Sequence, residues 1–144
     1  REDGTFVRAF GHRGTGEGQF EMICSVVEGG DGRMYVSDIK RAEILVFSNM
    51  GEYVRTIGGA GSGPGEFQKP FGMAVGLDGE VFVSDISRRV VQVFGEDGAY
   101  VQSIGLSGET GAKVSRGMAI DGEGRLFVGV NRWSREIQMW TPVD

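Results

Sequence analysis

Few side chains in this sequence have the chemistry that catalysis requires. The chain of 144 residues contains one histidine, His12, and one cysteine, Cys24. A Ser-His-Asp set or a Cys-His set would depend on His12, and a metal site built from several histidines cannot form. Cys24 lies in the apolar stretch 22–27, where the usual role is that of a small buried hydrophobe. The sequence therefore predicts a protein that is not an enzyme and that has no cofactor.

Three oxygen-bearing side chains, Asp38, Asp85 and Asn131, stand at the corners that follow the second apolar run of each unit. Carboxylate and amide oxygens are calcium ligands, so these residues define a possible metal site in a central channel. An aspartate at such a position more often caps its own turn, and we expect that role here. The glycine-rich segments 14–18 and 61–65 lack the Gly-Lys-Ser/Thr ending of phosphate-binding loops, so we interpret both as turns.

Basic residues are the main candidates for binding a partner. The first residue to test is Trp133, which is flanked by Arg132 and Arg135, because Trp and Arg dominate binding hot spots. Packing against a neighbouring loop is an equally open role for Trp133. The formal net charge of −5 argues against a general nucleic-acid binder. The predicted partner-binding set consists of Arg13, Lys40, Arg41, Lys69, Arg88, Arg89, Arg116, Arg132, Trp133 and Arg135.

The elements that must position these residues repeat with a period of 47 residues. Similar runs begin at Gly4, Gly51 and Gly98, with the sequences GTFVRAFG, GEYVRTIG and GAYVQSIG. In the third copy the register slips by two residues. Units of about 4–50, 51–97 and 98–144 therefore divide a single segment, 1–144.

Each unit contains four short runs with strand character. In the fourth run we expect Val54 to face inward and Arg55 to face water, because the two alternate along a strand. Asp-Gly pairs between runs supply the positive φ of tight hairpins. The first three runs are 23–27, 72–75 and 117–120; then 34–36, 81–83 and 126–128; then 44–47, 91–94 and 137–140.

A four-stranded antiparallel unit repeated around an axis is a blade of a β-propeller. The sequence therefore predicts an all-β fold made of three such blades. A solenoid is the alternative, but solenoid units carry helices or much shorter strands, and no segment here shows a helical apolar period of useful length. The longest apolar runs are too short to span a membrane.

The units resemble the NHL-repeat propellers. The first unit lacks the proline of the motif, and the third has Val114 in place of its phenylalanine. The resemblance implies a propeller that is a scaffold for protein partners, an RNA-binding module or a lyase-type enzyme. The single histidine argues against the metal site of NHL-like amidating lyases. The second unit matches best, with Gly65-Glu-Phe67, Pro70, Gly72-Met-Ala-Val75, Asp78-Gly79, Val81-Phe-Val-Ser-Asp85 and Val90-Val-Gln-Val-Phe94.

Three blades are too few to close a propeller, which typically has four to eight. The chain begins with a fourth-strand sequence, Thr5 to Phe10, and ends with a third-strand sequence, Ile137 to Trp140. We predict a homodimer that closes six blades, with residues 5–10 completing the last blade of the other chain. The alternative is that this sequence, which starts at Arg1 without methionine, belongs to a longer six-bladed chain.

Charge is divided between the two predicted loop faces. Loops that lead from strand four to the next strand one, or from strand two to strand three, hold ten of the 15 basic residues. The opposite turns hold eight acidic residues against Arg33 and Arg125. We predict that the mixed-to-basic face binds a protein or peptide partner. The alternatives are charged turns that only keep the surface hydrated, and an RNA ligand whose affinity would fall steeply with salt.

Overall fold

The computed structural model describes residues 4–105, 113–131 and 135–141. These residues form β-strands and no helix, so they include no helix that could cross a membrane. They make two four-stranded sheets, one three-stranded sheet and a short parallel pair, β1 (His12–Arg13) with β2 (Gln19–Phe20). The prediction of an all-β protein made of antiparallel blades is confirmed.

The first blade has its strands in sequence order, each antiparallel to the next. They are β3 (Ile23–Glu28), β4 (Met34–Asp38), β5 (Glu43–Phe47) and β6 (Tyr53–Ile57). All residues of β4 after Met34 are buried, which is typical of a strand that is covered on both faces.

The second and third blades repeat this order. The second contains β7 (Pro70–Val75), β8 (Val81–Asp85), β9 (Val90–Phe94) and β10 (Tyr100–Gly105). The third contains β11 (Lys113–Ile120), β12 (Leu126–Asn131) and β13 (Glu136–Trp140), and no fourth strand pairs with β13 in the described residues.

Asp-Gly turns connect the strands as the sequence predicted. Gly79 has a φ of 82° and Gly98 a φ of 83°, both in the left-handed region that glycine adopts without strain. The side chain of Asp97 supports its turn by accepting a hydrogen bond of 2.9 Å from the backbone N–H of Ala99. The turn at Gly79 joins the inner two strands of the second blade, and the turn at Gly98 joins its outer two.

The orientation predicted for the fourth strand is wrong. Val54 is exposed, whereas Arg55 is half-buried and donates from Nη2 to the backbone oxygen of Glu96 in the next blade. The β5–β6 register shifts between the Val46–Arg55 pair and the Phe47–Tyr53 pair, which leaves Val54 without a partner. This bulge interrupts the alternation, so Arg55 points across the blade interface instead of toward water.

The core lies between facing blades. Between the first two it contains Tyr35, Ile44, Val46, Ile57, Met73, Val81, Val83 and Phe94, all buried. The hydroxyl of Ser37 donates a 2.7 Å hydrogen bond to the backbone oxygen of Phe71 and links the same two blades. A smaller cluster of Val91, Leu126 and Val128 joins the second blade to the third. Blades therefore stack face to face, which is how a propeller buries apolar residues.

Residues 5–10, predicted to complete a blade of another chain, pair with no third strand in the described residues and run along the first blade, where the Phe10 ring lies 5.5 Å from that of Phe47. Their pairing with another chain stays a prediction. The burial of Cys24 is less than expected. Cys24 is half-buried, and its neighbours Ile23 and Val26 on β3 are exposed.

Candidate functional site: the upper loop face

Two kinds of segment meet at one end of the blades. Segments 11–22 and 58–69 lead from a fourth strand to the next first strand, and segments 39–42 and 86–89 join second to third strands. The backbone N–H of Ile39 donates to the oxygen of Met22, and that of Ile86 to the oxygen of Lys69, both at 3.1 Å. These four segments together are called the upper loop face.

Asp38 and Asp85 hold this face together. Each is fully buried at the end of its strand. One oxygen of Asp85 accepts from the backbone N–H of Gln68 at 2.7 Å, and the other from Lys69, Ser87 and Arg88 at 3.2, 3.1 and 3.1 Å. The predicted capping role is confirmed, and it extends further than predicted, because each carboxylate also binds the preceding loop.

Asp38 makes the same set of contacts one blade earlier. Its oxygens accept from the backbone N–H groups of Glu21, Met22, Lys40 and Arg41 at 2.6 to 3.1 Å. The 47-residue repeat of the sequence is therefore also a repeat of hydrogen bonds.

The carboxylates of Asp38 and Asp85 are thus directed at backbone amides and not at a shared centre. The described residues contain no group of three or more His, Cys, Asp and Glu side chains that could hold a metal ion. The side chain of Asn131, the third residue of the calcium hypothesis, lies outside what the structure describes. This arrangement gives the calcium hypothesis no support from its two aspartates.

Arg41 and Arg88, two members of the predicted binding set, anchor the loops internally. Arg88 donates from Nη1 to the backbone oxygens of Gly63 at 2.9 Å and Glu66 at 2.7 Å. Arg41 donates to the oxygens of Gly16, at 2.9 Å, and Gln19, and pairs with Glu43 at 2.8 Å. Both guanidiniums therefore already have partners within the chain, and their place in the binding set stays a prediction.

Gln92 joins a loop to the second blade, a role that was not predicted from the sequence. It is fully buried in β9, where its amide accepts from the backbone N–H of Gly65 at 3.0 Å and donates to the oxygen of Glu66 at 2.7 Å. A lone glutamine in an otherwise apolar third strand was the available signal. Its counterpart in the first blade is Leu45, so the repeat did not reveal the role.

Three other basic residues of the set remain available. Arg13, Lys69 and Arg89 are exposed, and the structure gives their side chains no hydrogen-bond or ion-pair partner among the described residues. Lys69 and Arg89 lie on the two segments that Asp85 links: the N–H of Lys69 binds the Asp85 carboxylate, and the N–H of Arg89 binds the Asp85 backbone oxygen at 2.8 Å. The upper loop face therefore presents, on neighbouring segments, cations that have no internal partner among the described residues.

The other predicted residues have varied positions. Lys40 is exposed and pairs with Glu21 at 2.9 Å. Arg116 lies within β11, and Arg135 is exposed with a φ of 46°. Arg132 and Trp133 lie outside the described residues, so the hot-spot role of Trp133 stays a prediction.

The opposite face consists of the turns 29–33, 48–52, 76–80, 95–99 and 121–125, called here the lower turn face. Its two arginines are paired: Arg33 with Asp31 at 3.3 Å, and Arg125 with Asp121 at 2.7 Å. The backbone N–H of Arg125 donates to Asp121 and, as the main cause, lowers the pKa of that carboxyl. Asp31 and Asp121 therefore each neutralise an arginine of their own turn.

A cleft of about 640 Å³, which no sequence pattern indicated, opens between the second and third blades. Its walls include Phe82, Ile104, Leu126 and Trp140, with acidic residues at the rim. The indole N–H of Trp140 is buried and has no hydrogen-bond partner in the described part of the chain.

These features define the chain as three stacked blades of a β-propeller. A family model described as a 6-bladed beta-propeller, DUF5128, matches residues 19–80. No functionally curated protein matches at the significance that we require.

Solved structures of low sequence identity share the fold. A putative exported protein from Bacteroides fragilis is 16% identical, with a TM-score of 0.66, and the match covers 92% of this chain and 41% of that one. Virginiamycin B lyase from Staphylococcus aureus is 14% identical, with a TM-score of 0.60, and the match covers 83% and 41%. The WD40 repeats of RRP9 are 17% identical, with a TM-score of 0.63, and the match covers 84% and 39%. The chain therefore spans about two-fifths of the length of these propellers.

Proposed function

We propose that this chain is a non-enzymatic propeller module of the NHL type whose upper loop face binds an acidic segment of a protein or peptide. The observation that carries the proposal is the pair Lys69 and Arg89: both are exposed, neither has a partner among the described residues, and Asp85 holds their segments together. Fixed backbone positions reduce the entropy lost when cations bind a ligand.

Charge on the described segments supports this choice of ligand. The upper loop face carries six basic residues and three acidic ones in its four segments, whereas the lower turn face carries eight acidic residues and two arginines that are already paired. A ligand rich in carboxylates is attracted to the first face and repelled by the second. The asymmetry therefore favours one face of the ring for binding.

The case against catalysis rests on the residues that would have to perform it. His12 is exposed on the two-residue strand β1, and the buried carboxylates of Asp38 and Asp85 are occupied by backbone amides. A propeller fold is shared by lyases and binding modules, so it favours neither. The proposal that the chain is not an enzyme therefore follows from its side chains.

The proposal is tested with the double variant Lys69→Gln/Arg89→Asn and a fluorescein-labelled oligoglutamate peptide. Asparagine is chosen at position 89 because Arg89 has a φ of 60°, which asparagine tolerates well. We expect the dissociation constant, measured by fluorescence anisotropy, to rise about tenfold, since two exposed charge pairs contribute roughly 0.2–1 kcal/mol each and act together.

The matched control is Arg33→Gln/Arg125→Gln, which changes the net charge equally on the lower turn face. It should leave peptide affinity within about twofold, a difference of roughly 0.4 kcal/mol. Equal weakening in both variants, or no weakening in the first, would contradict the proposal. Tighter binding of labelled oligouridine, with an affinity that falls steeply as salt is added, would replace it with RNA recognition.

A further inference from the structure

We propose that a pocket on the lower turn face binds an arginine side chain of a basic partner peptide. The pocket has a volume of about 280 Å³ and opens between the turns of the first and second blades. It is called here the turn pocket, and its walls include Asp31, Tyr35, Val75, Leu77, Asp78 and Glu96. It lies opposite the upper loop face, so the proposal does not depend on Lys69 and Arg89.

The turn pocket lies between two blades whose four strands are all described, and its walls come from residues 30–96. A glycine in the turn 29–33 leaves it open. At Gly29 the Cβ of any other residue would stand 3.0 Å from Asp31 Oδ1, 3.1 Å from Tyr35 Cε2 and 3.6 Å from Val75 Cγ1. A carboxylate, an aromatic ring and an apolar side chain therefore meet beside the pocket.

The hydroxyl of Tyr35 is the first sign of a missing ligand. Tyr35 is 1% exposed, and the part of the chain that the structure describes gives its hydroxyl no hydrogen-bond partner. The hydroxyl is not sealed from solvent, so it opens into the pocket that Tyr35 lines. The hydroxyls of Tyr53 and Tyr100 each bond a neighbouring hydroxyl, at 2.9 and 3.1 Å. A nearly buried polar group without a partner is costly, and a ligand that supplied one would remove that cost.

The blade itself does not need this hydroxyl. Phe82 stands 47 residues after Tyr35, at the matching position of β8. The second blade forms the same four strands with phenylalanine there. The hydroxyl is therefore a feature of this one interface and not a requirement of the repeat.

Two carboxylates at the mouth of the pocket have no internal partner. Asp78 and Glu96 are exposed, and among the described residues neither side chain makes an ion pair or a hydrogen bond. Arg55 donates to the backbone oxygen of Glu96 and not to its carboxylate. The Glu96 side chain lies against Gly79, where a Cβ would stand 3.1 Å from Glu96 Cγ, so it lies beside the turn that carries Asp78.

The third carboxylate of the pocket is already neutralised. Asp31 pairs with Arg33 at 3.3 Å and accepts the backbone N–H of the same residue at 3.0 Å. The negative charge available to a ligand therefore comes from Asp78 and Glu96.

Arginine fits these walls better than any other side chain. Its planar guanidinium has five N–H donors, which can bind a carboxylate through two hydrogen bonds and also reach a hydroxyl oxygen. Its apolar stem would lie on Val75 and on Leu77, which is 67% exposed. A lysine ammonium has three donors at a single point and cannot bind a carboxylate in this two-pronged way.

The surroundings of the pocket favour a basic peptide as the source of this arginine. The lower turn face carries eight acidic residues, and its two arginines are already paired. Further basic residues of a peptide would be attracted to this face, whereas a nucleic acid or an acidic segment would be repelled. The volume suits one side chain, since pockets for drug-sized ligands start at about 300 Å³.

Fluorescence anisotropy with fluorescein-labelled hexaarginine tests the charge requirement. We expect Asp78→Asn/Glu96→Gln to raise the dissociation constant about tenfold, because it removes both unpaired carboxylates. Both residues are exposed, so the fold should persist, which circular dichroism checks. The matched control, Glu52→Gln/Asp97→Asn, removes the same two kinds of charge from the same face outside the pocket and should change affinity by less than about twofold. Equal weakening in both variants, or no binding of hexaarginine to the unmodified chain, would overturn the proposal.

A variant of unchanged charge tests the pocket itself. Tyr35→Phe removes only the hydroxyl, and Phe82 shows that a blade accepts phenylalanine at this position. We expect it to weaken hexaarginine binding about threefold or more, the effect of one lost hydrogen bond to a charged group. Unchanged affinity would show that the peptide binds the charged face and not the pocket. Labelled hexalysine should bind more weakly than hexaarginine, and equal binding would overturn arginine as the occupant.

Discussion

Replacement of Asp85 by alanine is expected to lower the free energy of unfolding by about 3–5 kcal/mol, which is large for one side chain. The carboxylate is fully buried and accepts hydrogen bonds from four backbone N–H groups, on both segments of the upper loop face beside it. Alanine would leave these donors without their acceptor, and each unsatisfied buried donor costs on the order of 1–3 kcal/mol before water enters.

Urea denaturation of the Asp85→Ala variant, followed by tryptophan fluorescence, measures this loss. Asp31→Ala is the matched control, because Asp31 is an exposed turn aspartate that accepts one backbone hydrogen bond, from Arg33 at 3.0 Å. Its cost should stay near 1 kcal/mol or below, as for a single exposed cap. Similar costs for the two variants would show that Asp85 does not organise the loops.

Replacement of Phe67 by alanine is expected to cost about 3–5 kcal/mol, the range for deleting a buried aromatic ring. Phe67 is fully buried, its ring lies 5.5 Å from that of Phe94, and Gly58 approaches it so closely that a Cβ on Gly58 would overlap the ring. Removing the ring leaves a cavity between the upper loop face and the blade, because the sheet that frames it cannot collapse inward.

Thermal unfolding at one protein concentration is the measurement for Phe67→Ala. Met50→Ala is the control, since Met50 is 62% exposed and its truncation should change stability by less than about 0.5 kcal/mol. If Phe67→Ala unfolds at the temperature of the control, the ring is not part of the core that joins loop and blade.

The repeat period made the architecture predictable, because glycines and apolar runs at a fixed spacing leave few folds available. Gly79 and Gly98 show this: each follows an aspartate in the sequence, and each adopts the positive φ of a tight turn in the structure. The role of Asp85 was predictable for a related reason, since an aspartate that follows a strand can bind the amides of its own turn.

The partners of individual side chains were not predictable. Arg88 and Arg89 are neighbours of the same type, yet one donates to two loop carbonyls and the other has no partner among the described residues. The sequence shows that both side chains are charged but not which way each one points. The predicted orientations of Val54 and Arg55 were wrong for a different reason. One β-bulge shifts the alternation of side chains along β6, and nothing in the local sequence indicates the bulge.

Asp85 fixes the chain at the point where the loop ends and the next blade begins. Its carboxylate binds the backbone at Gln68 and Lys69, directly before β7 begins, and at Ser87 and Arg88 on the other side. The preceding part of the loop is bound to the blade separately, through the buried ring of Phe67 and through Gly65 and Glu66, which Gln92 binds. We therefore expect this face to tolerate new side chains at its exposed positions, provided that the residues joining loop and blade are kept.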